Sequence, residues 1–65
     1  MDLAYLRKLM AVRDEIRVQA HPATDAWMAG DRYGVVARVG RELIHVKMDR
    51  SGRVRKFRPD DVEQI

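Results

Sequence analysis

The chain has 65 residues and a net charge of +3, with 46% apolar and 35% charged residues. A chain of this length forms one domain, and folding then buries only about 60% of the surface that the unfolded form exposes, so self-association adds useful buried area. There is no cysteine, which excludes a disulfide framework and a thiolate metal site, and His21 and His45 have no ligand-like spacing to each other or to carboxylates, so neither metal nor cofactor is expected.

Charge is unevenly placed. Residues 32–58 hold Arg32, Arg38, Arg41, Lys47, Arg50, Arg53, Arg55, Lys56 and Arg58 against only Glu42 and Asp49, a local charge of +7, whereas both flanks are net acidic. A basic centre of this kind attracts phosphate. The apolar residues near the N-terminus are interrupted by Arg7, Lys8, Arg13 and Arg17, without the unbroken apolar run of a signal peptide or membrane span. A cytoplasmic protein with no membrane partner is expected.

Residues 2–20 read as an amphipathic helix. Asp2 suits the N-cap, and Leu3, Leu6, Leu9, Val12 and Ile16 recur at helical spacing. His21-Pro22 ends it, because a residue before proline is pushed out of the α region. At about 100° per residue, Tyr5, Leu9, Val12, Ile16 and Ala20 share one arc and Leu3, Leu6 and Met10 a neighbouring one, with Arg13 and Arg17 between. Either the two arcs form one broad core face edged by arginine stems, or Leu3, Leu6 and Met10 meet a partner helix, as in a homodimer.

Residues 21–31 read as a linker with a single helical turn capped by Thr24 or Asp25. Trp27, the only tryptophan, is expected to plug the end of a small core, with base stacking or partner binding as the alternative. Gly30-Asp31 then turns the chain into a sheet.

From Arg32 onward the apolar period changes to two. Tyr33–Val39 predicts a strand with Gly34 at a sharp coil or bulge, Gly40-Arg41 a tight connection, and the stretch from Glu42 a second strand with Ile44, Val46 and Met48 on the core face and His45 and Lys47 on the wet face. Asp49-Arg50-Ser51-Gly52 suits a type I turn with Gly52 left-handed. The return strand Arg53–Phe57 does not alternate cleanly: Val54 and Phe57 lie three apart, so either a bulge intervenes or one of them is half-buried. Arg58-Pro59-Asp60-Asp61 opens a helical turn, and Val62–Ile65 a last short strand.

Gly30-Asp31-Arg32, Gly34-Val35-Val36, Val46 with Asp49-Arg50-Ser51-Gly52-Arg53, and Phe57-Arg58-Pro59-Asp60-Asp61-Val62 together resemble the SH3-like barrel class that includes KOW and Tudor-type modules. The resemblance covers residues 27–65. It implies an α+β fold, an N-terminal amphipathic helix packed on a small, partly open antiparallel SH3-like β-barrel over residues 32–65, in a single domain spanning 1–65. The chain also resembles short proteins of unknown function encoded by bacteria and their phages.

Enzymatic chemistry finds little support. Ser51 is explained by its turn, no glycine-rich phosphate loop is present, and the adjacent Asp60 and Asp61 suit a cap better than an acid–base pair. The plasmid-borne type II dihydrofolate reductases are also similar: they are tetrameric SH3-like barrels with a Val-Gln-Ile-Tyr pore strand. The matching stretch Val54-Arg55-Lys56-Phe57 lacks the glutamine and tyrosine, so that activity is not expected. With four aromatic residues, two of them wanted by the core, an aromatic cage for a methylated cation is not expected either.

The basic surface remains. Arg38, Lys47, Arg53, Arg55, Lys56 and Arg58 are the expected phosphate contacts of a non-enzymatic nucleic-acid-binding protein that uses counterion release and little base readout, with no small-molecule substrate. The weighed alternatives are solvating surface charge and a protein-interaction module that pairs through Leu3, Leu6 and Met10.

Overall fold

The computed structural model describes residues 2–12 and 15–65. Helix α1 (Leu3–Val12) is followed by strand β1 (Arg17–Ala20), the short helix α2 (Asp25–Met28), and strands β2 (Tyr33–Val39), β3 (Ile44–Met48) and β4 (Val54–Phe57). A 3₁₀ turn (Pro59–Asp61) leads into β5 (Val62–Gln64).

The first correction concerns residues 2–20. The helix starts as expected, with Asp2 accepting from the Ala4 amide at 3.0 Å, but it covers only the first half of the predicted span. Residues 17–20 are instead β1, the strand flanked by β2 and β5. Ile16, Val18 and Ala20 are buried while Arg17 is exposed, a period-two pattern. A spacing of four fits both a helical face and every second residue of a strand, so Ile16 and Ala20 satisfy either reading. Pairing on both edges decides for the strand. The predicted place of Arg13 between two helical arcs lies outside the described residues.

All five strands join one antiparallel sheet in the order β4-β3-β2-β1-β5. That order has two ends, so the hydrogen bonding does not close the expected barrel, and the sheet begins at Arg17 rather than at residue 32. Its inner face carries Ile16, Val18, Ala20, Val36, Ile44, Val46, Met48, Phe57 and Val62; α1 adds Leu6 and α2 adds Ala26. Leu3, Leu9 and Met10 pack against this core, while Tyr5 and Val12 of the other predicted arc are exposed. Arg7 fastens α1 to the β2–β3 loop by donating to the Gly40 carbonyl at 2.7 Å.

Strand pairing is regular between β3 and β4, so no bulge separates Val54 from Phe57; Val54 is on the outside, 56% exposed, and Phe57 is in the core. The bulge lies in β2 instead. The register slips between Val36 and Arg38, leaving Ala37 as the extra residue, which keeps Arg38 beside His45 on the outside and Val39 beside Ile44 within. Gly34 permits close approach of β2 to β3, since a Cβ there would meet the Lys47 carbonyl oxygen at 2.5 Å. The β2–β3 connection runs over residues 40–43, two residues longer than predicted, and is closed by the Gly40 amide donating to Leu43 at 2.8 Å.

Candidate nucleic-acid interface

Alternation along paired strands sets the outer face in rows. One row holds Arg38, His45 and Lys56 on β2, β3 and β4; the next holds Arg17, Val35, Lys47 and Val54; a third holds Glu63, Gln19 and Tyr33. Arg38, Lys47 and Lys56 are exposed and His45 is half-buried. Groups directly opposite across strands stand about 5 Å apart at Cβ, and His45 stands between Arg38 and Lys56. The Arg38–His45–Lys56 row contains no carboxylate.

Two cations elsewhere are paired. Among the described residues the ion pairs are Arg17 with Asp49 and Arg55 with Asp31. The Asp49 carboxylate accepts from Arg17 and raises the guanidinium's pKa further, so Arg17 is neutralised at the β1 side of the face. Arg38, Lys47 and Lys56 belong to neither pair and share the outer face of β2, β3 and β4. Beside them, at the β2–β3 loop, a shallow depression of about 330 Å³ is lined by Arg41, His45 and Lys56 together with the acidic Glu42.

Arg55 differs from the other expected phosphate contacts. Strand alternation turns it toward the inner side, where its Nε donates to Asp31 Oδ2 at 2.8 Å, and Ser51 Oγ donates to the same oxygen at 2.9 Å. Asp31 is 4% exposed. The Arg55 hydrogen bond holds its pKa below the ordinary value of 3.8; burial opposes this and Ser51 assists. Arg55 is thus a structural partner that ties β4 to the 21–32 segment, and its charge is already matched. Arg53 is exposed at the end of the β3–β4 turn, with its amide donating to Ser51 Oγ at 3.2 Å, and Arg58 is exposed at the start of the 3₁₀ turn. The structure therefore brings Arg38, Lys47 and Lys56 onto one face, leaves Arg53 and Arg58 at the ends of β4, and turns Arg55 away.

The residues expected to meet a partner helix lie against the chain's own core: Leu6 is fully buried, and Leu3 and Met10 are partly buried. Thr24 caps α2, accepting from the Trp27 amide at 3.3 Å, as the sequence suggests. The core plug from α2 is Ala26 rather than Trp27. Trp27 is half-buried under the Arg32 guanidinium and beside Tyr33. Sequence reasoning missed this aromatic corner, although a basic residue between two nearby aromatics was a visible signal.

Among the described residues no helix is long and apolar enough to cross a membrane, and no group of three or more histidine or acidic side chains could hold a metal ion. In comparisons with known proteins, the chain matches no protein-family model, no curated protein and no solved structure.

Proposed function

We propose that this protein binds nucleic acid through the outer face of β2, β3 and β4, without catalysing a reaction, and that Arg38, Lys47 and Lys56 contact the phosphate backbone. The observation that carries this reading is the cross-strand row Arg38–His45–Lys56, flanked by Lys47, which has no carboxylate of its own while Arg17 and Arg55 are each paired. Cations gathered on one face without a paired acid attract a polyanion. Arg53 and Arg58 extend the positive surface along the β4 edge. We further read the fold as SH3-like; the strand order β4-β3-β2-β1-β5, with a 3₁₀ turn before the last strand, supports that assignment. Pairing through Leu3, Leu6 and Met10 is the weaker reading, because these side chains face the core.

The test is fluorescence anisotropy of labelled oligonucleotides at several salt concentrations, with wild type and the double variant Lys47→Glu, Lys56→Glu. Wild-type log affinity should fall linearly with log salt, and the variant should lose binding while keeping its circular dichroism spectrum. Absence of wild-type binding at low salt overturns the reading.

A further inference from the structure

At the end of the outer face away from the Arg38 row, three side chains converge, one from α2, one from β2 and one from the residue just before β2. Helix α2 carries Trp27 to the start of β2, where the Arg32 guanidinium lies 4.4 Å from the indole centroid. The Tyr33 ring meets the indole edge-on, with centroids 6.5 Å apart and planes at 66°. Neither aromatic belongs to the buried core, and Tyr33 is 45% exposed on the same face as Lys47. Asp49, which follows on the neighbouring strand and donates its amide to the Tyr33 carbonyl, has its carboxylate held by Arg17. The Asp49 carboxylate near the exposed ring is thus paired, a cation is stacked on the neighbouring indole, and Glu63 lies two strands away in the same row.

We infer that this corner stacks an unpaired base, so that the chain binds single-stranded nucleic acid, with a base on Tyr33 and the following phosphates on Lys47 and Lys56. The inference rests on the nucleic-acid reading above and specifies its substrate. An exposed ring on a sheet face gains nothing from a duplex, whose bases are already stacked inside the helix, but it offers any unpaired base a π face. Trp27, braced by Arg32, fixes the edge of the tyrosine and limits its rotamers, so little side-chain entropy is lost on stacking. Successive rows on one face are about 7 Å apart and neighbouring strands about 5 Å, so the diagonal path from Tyr33 on β2 past Lys47 on β3 to Lys56 on β4 spans about 16 Å, room for a short run of extended nucleotides. Val35 and Val54, which flank Lys47 in its row, add apolar surface that suits bases more than hydrated phosphates.

The experiment titrates fluorescein-labelled single-stranded DNA, single-stranded RNA and a blunt duplex into wild type, Tyr33→Ala, Tyr33→Leu and Tyr33→Phe, reading anisotropy together with the emission of Trp27. Both single strands should bind about tenfold or more tightly than the duplex and quench Trp27. Tyr33→Ala and Tyr33→Leu should each weaken single-strand binding by about tenfold without changing the salt slope, and Tyr33→Phe should restore it. Leucine keeps apolar bulk without a π face, so it separates stacking from folding defects. Equal binding of duplex and single strands, with Tyr33→Leu unchanged, overturns this inference and leaves the phosphate reading standing. Failure of every oligonucleotide to bind overturns both.

Discussion

Arg55 and Lys56 are consecutive cations on one short strand, yet they occupy different electrostatic worlds. Arg55 points inward, bonds a carboxylate that is 4% exposed, and links β4 to the segment before β2. Lys56 points outward beside His45, in a row without an acid. The contrast extends to the whole sheet. Its inner face carries the hydrophobic core with one paired charge at the margin, and its outer face carries cations, an exposed tyrosine and few counter-charges. Charge counted along the chain merges these two populations, whereas burial and pairing separate them. The inner set should govern stability and the outer set affinity.

The largest effect should come from the inner face. Ile44 is fully buried at the centre of β3, and Ile44→Ala should cost about 3 kcal/mol, a large part of the roughly 3–10 kcal/mol expected of a domain this small. Urea denaturation at neutral pH measures it. Oligonucleotide affinity per folded molecule should not change, and a loss of affinity equal to that of an outer-face lysine variant would break the division between faces.

Arg55 gives the next test, because its charge is like that of Lys56 and its predicted role is not. Arg55→Ala leaves the Asp31 carboxylate buried with Ser51 as its remaining side-chain donor, so the variant should melt well below wild type, whereas Lys56→Ala should melt close to it. The sign of the pH dependence follows from the depressed Asp31 pKa. The unfolded chain takes up the proton first as pH falls, so the stabilisation is complete above the ordinary value of 3.8 and disappears as pH drops through the lower folded value. The gap in urea midpoint between wild type and Arg55→Ala should therefore be widest near neutral pH and should narrow below about pH 4. A gap independent of pH would mean that Arg55 stabilises by packing alone.

Most of the sheet was legible because its signals are local. The period-two run from Tyr33, the Asp49–Gly52 turn and the Pro59 turn each specify their own element, and β2, β3, β4 and the 3₁₀ turn lie where those signals put them. What was not legible depended on partners far along the chain. Residues 16–20 satisfy helix and strand alike, and only pairing with β2 and β5 selects the strand. Arg55 could be sorted from Lys56 only once the register was known, since Asp31 lies 24 residues away. Trp27 was expected inside because a large ring usually gains by burial, but Ala26 fills that place and the indole packs on Arg32 and Tyr33 instead.

The division between faces depends on register, and register is set at the β3–β4 turn. A slip of one residue there would exchange Arg55 with Lys56 and move Phe57 outward. Gly52 holds this turn with φ +72°, and its amide donates to the Met48 carbonyl at 3.0 Å. No atom lies within 4 Å of a Cβ built at this position, so the cost of Gly52→Ala is confined to the backbone conformation and should be about 1 kcal/mol. Asparagine tolerates the left-handed region better, so Gly52→Asn should recover part of that loss. Denaturation midpoints of the two variants measure the difference, and both should keep wild-type oligonucleotide affinity if the turn strains without slipping. A variant that loses affinity together with stability would show that this one glycine holds the inner and outer residues on their separate sides.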